Sequence, residues 1–139
     1  MKQLPFLILV VCLLVSCKKI GQTQEQLAED IIVRAMTDGQ WQVTLYQDAQ
    51  NRLPEFTGFV FQFKSNRTVD AVQNGTLIAT GTWEGDGYKR QITAQYAAAA
   101  GSTLQRLNGI WQITNNNWTW VRATQTINGT PTTLELRKL

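Results

Sequence analysis

The sequence predicts an all-β domain: an eight-stranded antiparallel up-and-down barrel with one N-terminal helix. Three observations carry this. The spacing of apolar residues changes from helical to alternating at Trp41 and stays alternating to the end. Eight short strand-forming runs follow one another in hairpin order. Turn signals separate them, among them Asn74-Gly75, Asn115-Asn116-Asn117 and Asn128-Gly129. Eight strands in that order can close on themselves, which removes exposed edges and leaves an interior that is either packed or able to hold one small ligand.

The chain opens with one positive charge in Met1-Lys2-Gln3, followed by LPFLILVVCLLVS, which has no charge at all. This run over 4–16 is too short to span a bilayer comfortably and has the layout of a signal peptide, whereas a core helix would carry a polar face. It ends Leu14-Val15-Ser16-Cys17, which resembles the lipobox of bacterial lipoprotein precursors. The resemblance implies that the thiol of Cys17 is diacylglycerylated, that the chain is cut before it, and that the new amino group is acylated. Several acyl chains give durable anchoring. The implied organisation is a leader over 1–16, a lipidated tether over 17–22 and a domain over 23–139. Cys12 falls within the leader, so a disulfide is not expected. Lys18 and Lys19 follow the cysteine with no acidic neighbour, and by resemblance to known sorting rules this implies the outer membrane, facing the periplasm.

Thr23-Gln24-Glu25-Gln26 fits a capping box and Gly39 fits a stop, so a helix is expected over about 24–38. Its apolar face comprises Leu27, Ile31 and Ala35, widened by Ile32 and Met36. Such a helix either forms a lid over a cavity or packs outside or across one end of the sheet. The barrel is expected over about 40–138. Trp41, Val43 and Leu45 share one face of the first strand, and Phe59, Phe61 and Phe63 share one face of the second. Further strands are expected over 69–73, 77–83, 88–96, 107–114, 118–125 and 132–137. The stretch AAAAGST over 97–103 is too small and featureless to pack, and reads as a mobile loop at one rim.

Composition excludes a good deal of chemistry. Beyond the leader the chain holds twelve basic and ten acidic residues, too near neutrality to suggest a nucleic-acid partner. It has no histidine, and without a free cysteine it lacks Ser-His-Asp triads, Cys-His pairs and the usual zinc shells. The acidic pair Glu84 and Asp86 sits in Trp-Glu-Gly-Asp-Gly, where the glycines read as a wet turn, unsuited to raising a carboxyl pKa. No phosphate-binding loop is present. No enzyme activity, metal or cofactor is therefore expected. Four Asn-x-Ser/Thr patterns begin at Asn66, Asn74, Asn117 and Asn128. All lie in or beside expected turns and read as turn chemistry.

Gly-x-Trp occurs three times, at Gly39 to Trp41, Gly81 to Trp83 and Gly109 to Trp111. The glycine permits close approach and the tryptophan fills the space on the same face. With the phenylalanine-rich strand, the "LNGIWQI" over 107–113 and the "LELRK" over 134–138, these motifs resemble the lipocalin-like small lipoproteins of Bacteroidetes and, more distantly, the lipocalins, whose barrel is of the calycin type. The resemblance covers about residues 39–139. It implies that Trp41 closes the barrel base beneath a late arginine, for which Arg137 is the first choice and Arg122 the second. It also implies a small apolar or amphipathic ligand inside the barrel. Phe59, Phe61, Phe63, Trp83 and Trp111 are the candidate wall residues, or else they are simply the core, and Tyr46, Tyr88 and Tyr96 could orient the ligand by their hydroxyls. Trp118 and Trp120 flank a turn and form either an aromatic mouth or an exposed patch. The alternative function is a non-catalytic adaptor that meets an envelope protein through its outer surface.

Overall fold

The computed structural model describes the backbone from residue 16 and the side chains from residue 24, both to residue 139. The leader and the lipobox side chains, that of Cys17 included, lie outside what it describes. Helix α1 runs over Ser16–Thr37, longer than the capping box suggested. Thr23 lies inside it, and the expected tether over 17–22 is helical, because Lys, Ile and Gln all propagate a helix and the single Gly21 opposes it by only about 1 kcal/mol. No described helix is long and apolar enough to cross a membrane.

Eight strands follow: β1 Trp41–Gln47, β2 Phe59–Phe63, β3 Thr68–Gln73, β4 Thr76–Asp86, β5 Gln91–Gln95, β6 Gly109–Asn116, β7 Trp120–Ile127 and β8 Thr130–Lys138. Each pairs antiparallel with its neighbour, and β8 returns to β1, so the barrel is closed. The expected fold class therefore holds, eight strands and one N-terminal helix.

The Asn-x-Thr patterns do make turns, by two different means. Asn74 and Asn128 adopt φ of 49° and each precedes a glycine in a hairpin, where asparagine tolerates left-handed angles. Asn66 and Asn117 instead accept bonds on Oδ1 from the backbone N–H and hydroxyl of the threonine two positions on.

The barrel has two dissimilar ends. At the helix end, α1 lies against β4 and β2, with Met36 buried and Ile32 and Val33 packed on the core. Close approach is possible because β4 and the turn after it carry glycines there: a Cβ on Gly85 would strike Ile32, and one on Gly87 would strike the backbone of Ala28. Those glycines had suggested a turn in which Glu84 and Asp86 sit. In fact β4 runs through both acids, and the glycines serve helix packing. Leu27 and Ile31, expected on the packed face, are 56% and 55% exposed, because the buried stripe follows Ala28, Ile32 and Met36.

The opposite, lid end is covered by two long connections. Residues 48–58 contain a short 3-10 turn, Leu53–Phe56, with Phe56 buried. Residues 96–108 contain a 3-10 turn, Ala98–Ala100, and a single-turn helix α2, Ser102–Gln105, with Leu104 buried. The stretch expected to be a mobile loop is thus ordered. Ala97, Ala98 and Ala99 are exposed, but Ala100 packs against the core and Leu104, just beyond, is buried.

One further departure lies in β1. The pairing with β8 shifts between Val43 and Leu45, and this bulge reverses the alternation. Tyr46, not Leu45, turns inward and is buried.

Candidate functional site

Inside the barrel the side chains leave an apolar hollow of about 40 Å³, lined among others by Phe61, Phe63, Val69, Tyr96, Trp111, Val121, Ala123 and Leu134. That is room for more than one water molecule by volume. Its walls are aliphatic and aromatic, so a water there would have no partner and the space is dry. Of the candidate wall residues, Phe61, Phe63 and Trp111 reach the hollow and two do not. Phe59 stacks on Phe61 at 6.0 Å outside the lining. Trp83 packs edge-on against Phe63 at 5.3 Å and donates its indole N–H to the Lys64 carbonyl at 2.9 Å, which places it in the stopper of the helix end.

All three Gly-x-Trp tryptophans use that device. Trp41 donates to the Met36 carbonyl and Trp111 to the Leu107 carbonyl, each at 2.9 Å. Each ring thereby fills the barrel while its one polar atom ties down an adjoining connection. Gly81 admits the ring of Tyr96, whose Cδ1 would lie 2.8 Å from an added Cβ.

The tyrosine hydroxyls do not point into the hollow. Tyr46 donates to the Arg106 carbonyl at 2.8 Å, and burial pushes its pKa up to about 12. Tyr96 donates to the Val69 carbonyl at 3.4 Å, and burial raises its pKa too. Tyr88 stands outside the barrel, 74% exposed. The site therefore offers apolar contact and no free hydrogen-bonding group.

Over the lid end, Tyr46 stacks on Phe56 at 5.3 Å and meets Trp111 edge-on at 6.1 Å. Above these rings two acids and two arginines join the two connections. Arg106 Nε donates to Glu55 at 2.7 Å, Arg52 reaches Asp48 at 3.2 Å and Glu55 at 3.4 Å, and Arg106 lies 3.9 Å from Asp48. The N–H of Gln50 and then the Arg52 guanidinium hold the Asp48 carboxyl below the usual range. Sequence spacing hid this group, because Glu55 and Arg106 lie on different connections and meet only when the barrel closes.

The cation over Trp41 is Lys138, with Nζ 5.1 Å from the ring centroid, and not Arg137. Strand parity is the reason: Lys138 pairs directly with Trp41 and shares its inward face, so Arg137 points out. There Arg137 stands 5.8 Å over Trp120 and donates to Glu135 at 2.9 Å. Arg122 binds the same carboxylate at 2.8 Å and Thr44 completes it at 3.0 Å. Burial would raise the pKa of Glu135, but Arg122, Thr44 and Arg137 together hold it below the usual value. Trp120 is thus half-covered, while Trp118 sits in the turn before β7 and is 60% exposed. Among the described residues no acidic cluster could hold a metal ion.

No family model and no curated protein matches the chain at the level of sequence. Solved structures do match it in fold. A DUF4847 family protein from Bacteroides vulgatus is 13% identical, with a TM-score of 0.53 over 76% of this chain and 96% of that one. A lipocalin-like protein from Bacteroides uniformis is 16% identical, with a TM-score of 0.46 over 74% of this chain and 98% of that one. At these identities the likeness is one of fold alone.

Proposed function

We propose that the protein is a membrane-anchored, non-catalytic binding protein whose barrel takes up a small apolar ligand. The supporting observation is the wholly apolar hollow among Phe61, Phe63, Tyr96 and Trp111 at the centre of a closed barrel. Its chemistry narrows the ligand class. With the hydroxyls of Tyr46 and Tyr96 already bonded to backbone, an amphipathic head would be buried without a partner, which costs about 1–3 kcal/mol. Size narrows it further. Drug-sized ligands occupy about 300–1,000 Å³, so the hollow as it stands favours a compact hydrocarbon group, and a longer chain would have to displace the lid. The anchoring rests on the lipobox at Cys17, which implies acylation and a place on the periplasmic face of the outer membrane.

The same small volume favours a second reading, in which the barrel is a filled scaffold and an envelope protein binds its outer surface. Native mass spectrometry separates the two. The protein is exposed to a bacterial lipid extract, alongside the Ala123→Val variant, which adds two carbons to the wall. A discrete adduct on the wild type that is lost in Ala123→Val supports the internal site. Bare protein in both favours the scaffold.

A further inference from the structure

Eight large apolar side chains are exposed on the described surface, and five of them gather at the helix end: Leu27 and Ile31 on α1, Tyr88 between β4 and β5, Trp118 between β6 and β7, and Leu139 after β8. The up-and-down order puts those two turns and the end of β8 on the same rim. Helix α1 joins that rim through the Arg67–Glu29 ion pair, at 2.8 Å, and through Trp41, which bonds the Met36 carbonyl. Nothing in the fold requires this exposure. Leu27 and Ile31 are one helical turn apart and leave the packed stripe together, and Trp118 is held out by a turn whose own Asn117 supplies its bonds.

Charges of both signs accompany these groups: Glu25, Glu29, Glu84 and Asp86 line the cleft beside Tyr88, and cations lie at its edge. Lys89 and Arg90 follow Tyr88, both exposed. Arg90 donates to Asn116 Oδ1 at 3.0 Å, beside the Trp118 turn. Neither makes an ion pair among the described residues. Exposed tryptophan and tyrosine, aliphatic groups and unpaired Lys and Arg on one surface match a bilayer interface, where rings sit at headgroup level and cations meet lipid phosphates. Helix α1, whose chain leads back to Cys17 and the apolar run, belongs to this same end.

We infer that the helix end is a foot that rests on a phospholipid surface, with Trp118 entering the headgroup layer. The barrel then stands upright, and its lid end, with the Glu55–Arg106 pair, faces away from the membrane. The inference rests on the anchored reading only for bringing a bilayer within reach.

The test reconstitutes the full chain in phosphatidylcholine–phosphatidylglycerol vesicles, with and without brominated acyl chains. Flotation reports attachment, mass spectrometry reports acylation of Cys17, and tryptophan emission reports depth. The expected result is a partial loss of emission on bromination, no larger than the share of one tryptophan in five, that disappears in Trp118→Phe at unchanged circular dichroism. Floating protein with emission unaffected by bromination overturns the foot and leaves the anchor standing. Floating, quenched protein with an unmodified Cys17 overturns the acyl anchor and leaves the foot standing. A chain that does not float overturns both.

Discussion

Single side chains hold this barrel together by filling space and spending their few polar atoms on backbone. Trp41, Trp83 and Trp111 each pack inward while their N–H ties a connection down. Tyr96 depends on a missing side chain, since its ring lies against Gly81 and an added Cβ would also stand 2.6 Å from the Gln95 carbonyl. Backbone on one side and a buried ring on the other leave little room to relax. Gly81→Ala is therefore expected to destabilise the domain by about 1–3 kcal/mol, read as a lower urea midpoint at unchanged slope. An unchanged midpoint would mean that β4 and β5 shift apart at little cost. The Gly-x-Trp motifs showed these sites in the sequence, but not which rings meet the hollow. Trp83 and Trp111 occupy the same motif yet lie near opposite ends, because Trp83 comes late in β4 and Trp111 early in β6, two strands that run in the same direction.

At the scale of elements, alternation placed every strand, and the failures have local causes. The bulge in β1 replaced Leu45 by Tyr46 on the inner face, and no spacing rule announces a bulge. Helix α1 turned its stripe by one position because Gly85 and Gly87 admit it closely at Ile32 and Ala28. Arg137 missed Trp41 by one residue of register, which sends a strand side chain to the other face. The lid was invisible because its ionic group joins residues 51 positions apart. That group predicts a separable unit. Glu55 and Arg106 are about one-third exposed, so water screens the pair and its loss costs at most about 1 kcal/mol. Glu55→Gln should leave the melting temperature nearly unchanged. It should lower amide-exchange protection over 102–107 while the strands keep theirs. Equal loss in lid and strands would show that the lid does not open on its own.

For the whole molecule, the helix and the eight strands were legible in the sequence. What composition could not fix was volume, since the same aromatic residues build a filled barrel or a hollow one. The difference here is about 40 Å³, set by small residues such as Ala123 opposite large rings. On that space depends the claim that the interior is a binding site and not merely a core. Diffraction from crystals under xenon pressure tests it most directly, because xenon enters dry apolar cavities of this kind. The account predicts a xenon peak bounded by Phe61, Trp111, Val121 and Leu134, absent in Ala123→Val. An interior without xenon, or one holding an ordered water, would contradict it.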